Sequence, residues 1–205
     1  GAWLVLGTQR RAEVVELLER AIRENRQLCA VEALTQAPFE RLNITGQQEH
    51  TRATLKIQEG CNNRCTYGAI PCIRGKLRSR SIEDIVAEAK NLDEMGIKEL
   101  VVIAQDTTVY GKDLYGEYRL PELLRAITDA TSIPWIRILY CYPDKITDER
   151  MEEMRTNSRI VHYIDLPIQH ISDKVLRAMN RHGDSACIKD AIARLRAAIP
   201  DIVIR

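Results

Sequence analysis

The chain has 205 residues, of which 45% are hydrophobic and 29% charged, and a formal net charge of +1. That composition excludes a disordered chain and reads as a soluble globular protein, and no apolar run approaches the roughly 20 residues that span a bilayer. The near-zero net charge argues against a strongly electrostatic nucleic-acid binder, while leaving room for a local basic patch.

The first residues, Gly1-Ala2-Trp3-Leu4-Val5-Leu6-Gly7, lack a basic lead-in and a small-residue cleavage site, so they do not read as a signal peptide. A cytoplasmic protein with no membrane partner is the expectation. Residues 1–27 read as one strand and one helix, followed by an irregular stretch to about residue 50.

A short strand-like run, Thr54 to Ile57, leads into Glu59-Gly60-Cys61-Asn62-Asn63-Arg64-Cys65-Thr66-Tyr67-Gly68-Ala69-Ile70-Pro71-Cys72. Ser81 is a good N-cap with Asp84 in capping-box position. Ile82, Ile85, Val86, Ala89 and Leu92 then form one apolar stripe, and Gly96 can stop the helix. Leu100 to Ala104 is a continuous apolar run, the pattern of a strand buried on both faces. The cycle repeats, with helix-like segments at Pro121 to Thr131, Thr147 to Thr156, Asp173 to Met179 and Ala186 to Ala198. Strand-like segments fall at Trp135 to Tyr140, Tyr163 to Leu166 and Ile202 to Ile204.

Strands alternating with helices at this spacing predict an α/β fold with βαβ units on a parallel sheet, a complete or partial (β/α) barrel. Such a sheet carries its chemistry on the loops after the strands. The cysteine loop, Gln105-Asp106 and Gln169-His170 all follow strands, so they should converge on one face. Arg205 ends the chain at a strand with nothing after it to cover the sheet, which reads as a fragment of a longer protein.

Six cysteines are present. Cys29, Cys141 and Cys187 stand singly, where buried free thiols are ordinary. Without a secretion signal, the clustered Cys61 and Cys65 suggest metal or redox chemistry more than a disulfide framework. Their spacing is not that of a zinc knuckle, and no second Cys/His pair follows. Thiolates at a strand-to-loop junction suit an iron–sulfur cluster; two unligated loop thiols are the alternative. A C-x3-C-x2-C loop would hold three irons of a four-iron cluster and leave the fourth open, but its third position here is Gly68. Cys72 could be a substitute ligand, giving C-x3-C-x6-C, but it lies beyond Ile70-Pro71, where proline fixes the backbone, and reads more as a bystander.

Tyr67 could pack on an adenine-bearing cofactor or be a half-buried loop aromatic. Arg74, Lys76, Arg78 and Arg80 could neutralise a cofactor carboxylate or an acidic substrate, or form a solvated basic loop. Gln105 and Asp106 could hold a ligand or cap a helix, and Gln169 and His170 are expected to line a pocket. His50, His162 and His182 have no companions and read as structural. No P-loop, G-x-G-x-x-G or nucleophile elbow occurs.

These residues match a family. From about Thr51 to Arg205 the chain resembles the core of the radical S-adenosylmethionine (SAM) methylthiotransferases. The resemblance is carried by Thr51-Arg52-Ala53, Leu55-Lys56-Ile57, Glu59-Gly60-Cys61-Asn62, Ile70-Pro71, Arg74-Gly75 and Arg78-Ser79-Arg80. Ala104-Gln105-Asp106-Thr107-Thr108, Tyr110-Gly111, Tyr142-Pro143-Asp144 and Asp165-Leu166-Pro167-Ile168-Gln169-His170 look most like the RimO branch. That branch methylthiolates an aspartate of a small-subunit ribosomal protein, whereas the other branches modify tRNA.

The resemblance implies a truncated barrel of the radical SAM type over residues 51–205. Residues 1–50 would be the remnant of an α/β N-terminal domain plus linker. It further implies a [4Fe-4S] cluster on Cys61 and Cys65, SAM beside Tyr67, Gln105 and Gln169, and a reduced electron-donor protein as partner. Gly68 departs from the family's third cysteine, so the activity should be impaired. A non-catalytic homologue that binds SAM or a partner, and a tRNA methylthiotransferase, are the rival readings.

Overall fold

The computed structural model describes residues 1–33 and 51–205. Most of the irregular stretch expected up to residue 50, with His50, lies outside these residues. At the start, β1 (Leu4–Leu6) leads through a 3-10 turn into α1 (Val14–Arg23) and then β2 (Leu28–Ala30). β1 and β2 pair in parallel, with Val5 opposite Cys29. β2 was not expected from the sequence, because three residues are too few to show a period.

The remaining elements follow in order: β3 (Arg52–Lys56), β4 (Gln58–Glu59), α2 (Ile70–Ile73), β5 (Arg78–Ser79), α3 (Ile82–Glu94) and β6 (Glu99–Ile103). Then come α4 (Leu120–Ala130), β7 (Trp135–Ile138), α5 (Asp148–Thr156), β8 (Ile160–Ile164), α6 (Asp173–Ala178), α7 (Ser185–Ala198) and β9 (Val203–Ile204). β4 and β5 form a small antiparallel pair that closes the base of the cysteine loop.

The main sheet has five strands in the order β3-β6-β7-β8-β9. Every neighbouring pair is parallel. Each new strand is added at the same edge, which is how the wall of a (β/α) barrel grows. The register aligns Leu55, Val102, Ile138, Ile164 and Ile204 in one row across the sheet. The first four of these are at most 1% exposed, so the row is the centre of the core.

The helices form because their apolar residues fall on one face, and each packs on the next: α3 on α4, α4 on α5, α5 on α7. As expected, Ser81 caps α3 by accepting from the Asp84 amide at 3.3 Å. Thr147 and Asp184 cap α5 and α7 in the same way. Gly96, at φ +82°, carries the chain out of α3. β8 starts three residues before the expected Tyr163 and ends at Ile164, because its pairing with β7 is irregular and its middle is only half-buried.

Candidate functional site

The carboxyl ends of the strands open onto a cavity of about 480 Å³, within the range usual for small-molecule sites. Its lining includes Cys61, Cys65, Tyr67, Gly68, Gln105 and Gln169. All the cofactor and metal residues expected from the sequence are therefore brought together. Tyr140, Tyr142, Lys56, Asn63 and Arg181 also line it, and the sequence reading missed them.

The cysteine loop is fastened at several points. The Cys61 amide donates to the Gly75 carbonyl (3.2 Å), and Asn62 Oδ1 accepts from the Leu77 amide (3.0 Å). Asn63 Nδ2 donates to Asp106 Oδ2 at 3.1 Å, tying the loop to the end of β6. The turn after α6 holds the other side: Thr66 N donates to the Met179 carbonyl (3.1 Å), and Asn180 Nδ2 to the Arg64 carbonyl (2.7 Å). Asn180 can make this turn because it adopts φ +51°, which asparagine tolerates better than most residues.

Gln105 sits at the end of β6 with a buried Oε1 that has no hydrogen-bond partner. A buried unpartnered acceptor on a cavity wall is what a ligand donor would satisfy. Asp106 instead does the capping work, accepting from the Thr108 amide and hydroxyl while it holds Asn63. Gln169 lines the cavity at φ +66°. His170 was expected beside it but is not part of the lining: its Nδ1 accepts from the Ser172 amide at the entrance to α6. His162 pairs with Asp201 at 2.7 Å on the surface.

Arg181 is the most informative residue that sequence reasoning missed. Its guanidinium stacks on Tyr142 at 4.0 Å from the ring centroid. It donates to the Pro167 carbonyl at 2.6 Å and reaches Cys65 Sγ at 4.0 Å. One side chain thus touches the cysteine loop and the ends of β7 and β8. Burial pushes the Tyr142 hydroxyl up to about 12, although Arg181 opposes the shift. Burial likewise pushes the Cys61 thiol up, against the Asn63 amide that hydrogen-bonds to it.

The basic run is not free for an external acid, as one expectation had it. Glu59, only 2% exposed, lies 3.0 Å from Arg74, 3.3 Å from Lys56, 3.7 Å from Arg11 and 3.8 Å from Arg78. Arg80 is buried against Asp84 and Glu88. A buried cation needs such partners, so the run serves the chain's own carboxylates. Lys76 alone of the four is exposed.

A cluster held by three protein thiolates does not fit this donor set. Cys61 and Cys65 face the cavity, but Gly68 brings no ligand, and exposed Cys72 on α2 is not part of the lining. Among the described residues no group of three His, Cys, Asp or Glu side chains could hold a metal ion.

The family model of the Radical SAM superfamily matches residues 55–205. The chain belongs to that superfamily. At the level of curated radical SAM relatives, it is 58% identical over 153 residues to the ribosomal protein uS12 methylthiotransferase RimO of Moorella thermoacetica, covering 75% of this chain and 35% of that protein. It is 44% identical over 202 residues to the RimO of Clostridium novyi, covering 98% of this chain and 45% of that one. The chain thus spans between about a third and a half of the length of these relatives. Among solved structures, the cobalamin-dependent radical SAM enzyme OxsB superposes with TM-score 0.66 at 15% identity, over 97% of this chain and 32% of that one. The radical SAM methyltransferase TsrM of Kitasatospora setae gives 0.57 at 16% identity, over 74% and 29%. At such identities the likeness is one of fold. Among the described residues, no helix is long and apolar enough to cross a membrane.

Proposed function

We propose that the chain is the SAM-binding core of a RimO-type methylthiotransferase. The whole protein would add a methylthio group to an aspartate of ribosomal protein uS12, using SAM, a [4Fe-4S] cluster and a reduced electron-donor protein in the cytoplasm. Residues 51–205 would form the radical SAM core, and residues 1–50 the end of a preceding α/β domain with its linker. The observation that carries this reading is the convergence of Cys61, Cys65, Tyr67, Gln105 and Gln169 on one cavity at the carboxyl ends of the strands.

The side chains suit the parts of SAM. Tyr67 and Tyr142 offer aromatic faces to an adenine. The unpartnered Gln105 Oε1 can accept from an amine or an amino group. Arg181 places a fixed positive charge where a carboxylate can be paired. Gln169 closes the same wall. The cluster site is incomplete at Gly68, so this chain as it stands is expected to be impaired. Gly68 also favours one second reading, a homologue that keeps the fold to bind SAM without turning it over.

The test is product analysis by mass spectrometry on a protein of the relatives' full length carrying these residues, with and without Gly68→Cys. Purified uS12 and unmodified tRNA are offered in parallel, with SAM, sulfide and a reductant. Methylthiolated uS12 with the Gly68→Cys protein is the expected product. Modified tRNA alone would replace the proposal with the tRNA branch. SAM binding without either product would favour the non-catalytic reading.

A further inference from the structure

Among the described residues, four other than glycine adopt a positive φ: Asn25, Tyr140, Gln169 and Asn180. Asn25 and Asn180 follow α1 and α6, and asparagine tolerates such a helix end. Tyr140 (φ +61°) and Gln169 (φ +66°) have no such reason, and both line the cavity. A bulky residue in that conformation is strained, and strain of this kind gathers at ligand sites. The Tyr140 backbone is locked from both sides. Its amide donates to Asp165 Oδ2 (3.3 Å), and its carbonyl accepts from the Thr107 amide (3.1 Å) and hydroxyl (3.2 Å).

The side chain that this backbone presents differs from the others of its kind. Of the seven tyrosines, the other six have a hydrogen-bond partner at the hydroxyl or a cation over the ring. Tyr140, 45% exposed on the cavity wall, has neither among the described residues.

The charges of the lining point the same way. Among the described residues it carries two cations, Lys56 and Arg181, and no carboxylate. In the function proposed above, Arg181 pairs with the carboxylate of SAM, which leaves Lys56. Lys56 keeps Glu59 at 3.3 Å, but Glu59 is shared with Arg11, Arg74 and Arg78, so one carboxylate faces four cations. Burial pulls the Lys56 ammonium below its ordinary value, against the effect of Glu59. A further anion on its cavity side would offset that desolvation. An ammonium and a phenol hydroxyl are both donors, and a carboxylate accepts from both while pairing with the charge.

We propose that Lys56 and Tyr140 form an acceptor subsite of the cavity, where both donate to a side-chain carboxylate of the polypeptide substrate. The inference rests on the RimO-type reading and deepens it: these two residues select an acid over the corresponding amide.

The experiment is fluorine NMR on the metal-free 205-residue chain labelled with 3-fluorotyrosine, its signals assigned by Tyr67→Phe, Tyr140→Phe and Tyr142→Phe. S-adenosylhomocysteine is added first, then N-acetyl-aspartate N-methylamide or the matching asparagine compound. S-adenosylhomocysteine should shift the Tyr67 and Tyr142 signals. The aspartyl compound should then shift Tyr140 saturably, and bind at least about tenfold more tightly than the asparaginyl one. Lys56→Gln should weaken the aspartyl compound by a similar factor while S-adenosylhomocysteine still shifts Tyr67, which shows that the variant is folded. A Tyr140 signal that answers to S-adenosylhomocysteine but not to the aspartyl compound would overturn the proposal. So would equal affinity for acid and amide, or no change in Lys56→Gln. If S-adenosylhomocysteine moves no tyrosine while the aspartyl compound still moves Tyr140, the SAM reading falls and the carboxylate subsite stands. If neither moves any signal, both fall.

Discussion

The two walls of the cavity are built on different principles. The sheet wall, from Gln105 to Tyr142 and Gln169, grows out of parallel strands whose inward residues are almost fully buried, with a regular ladder from β3 to β7 and one register shift between β7 and β8. The cysteine wall is a loop held by side-chain and backbone anchors at Asn62, Asn63, Thr66 and the turn after α6, and Tyr67 and Gly68 on it are exposed. The strand residues beneath the first wall, Leu55, Val102, Ile138 and Ile164, cannot change without disturbing packing. Those on the second can change their chemistry while the loop keeps its path. A ligand can therefore be missing at position 68 in a chain whose fold is intact.

Substitutions that reach the sheet should show the largest effects. Leu55→Ala removes the buried start of the central row, at 0% exposure, and is expected to cost about 2–5 kcal/mol in denaturant unfolding. A loss under about 1 kcal/mol would mean that the row is not the core that fixes this wall. Asp106 joins the two walls through Asn63, so Asp106→Ala should cost about 1–3 kcal/mol, because it leaves the Thr108 amide without its acceptor. Hydrogen exchange should then quicken in residues 62–66 while β6 stays protected. Equal loss of protection in both would show that the walls are one cooperative unit.

The same division explains what could be read from the sequence. The stripe Ile82, Ile85, Val86, Ala89 and Leu92, the Ser81 cap and the apolar run ending at Ala104 are local patterns, and they led directly to α3 and β6. Gln105 and Gln169 were legible because a parallel sheet dictates where strand ends lie. Arg181 was not: it depends on how the turn after α6 meets the cysteine loop, a long-range contact that leaves no period in the sequence. Its one local signal is Asn180, whose left-handed backbone ends the helix. The β4–β5 pair is two residues long on each side, too short for alternation to show. The basic run was ambiguous because pairing with Glu59 depends on that hairpin and on Arg11, far away in sequence.

A smaller effect should separate the sheet from the loop by pH. Burial alone would raise the Glu99 carboxyl, but hydrogen bonds from Arg137 (2.5 Å) and Arg52 (2.8 Å) prevail and hold it below its ordinary value. A carboxyl depressed in the folded state contributes its stability above the unfolded value of about 4.3 and loses it as pH falls through the lower folded value. Glu99→Gln should therefore cost about 1 kcal/mol near neutrality. The difference from the unaltered chain should shrink once the pH drops below about 4. A difference that persists into acid would assign the role of Glu99 to packing, not charge.

The smallest expected effect decides the comparison most directly. Gly68→Ala adds a methyl group where the nearest atoms are 3.5 Å away and no left-handed backbone opposes it. It should shift unfolding by no more than about 0.5 kcal/mol in either direction, with restriction of the unfolded chain favouring the alanine. Gly60→Ala, in contrast, must displace the Lys76 carbonyl and strain the backbone as well, so the hairpin at the base of the loop should loosen measurably. If the two substitutions cost the same, position 68 is under structural constraint after all, and glycine there is part of how the loop folds. If only Gly60→Ala costs stability, the loop keeps its shape whatever stands at 68, and what that position supplies to the cavity is chemistry alone.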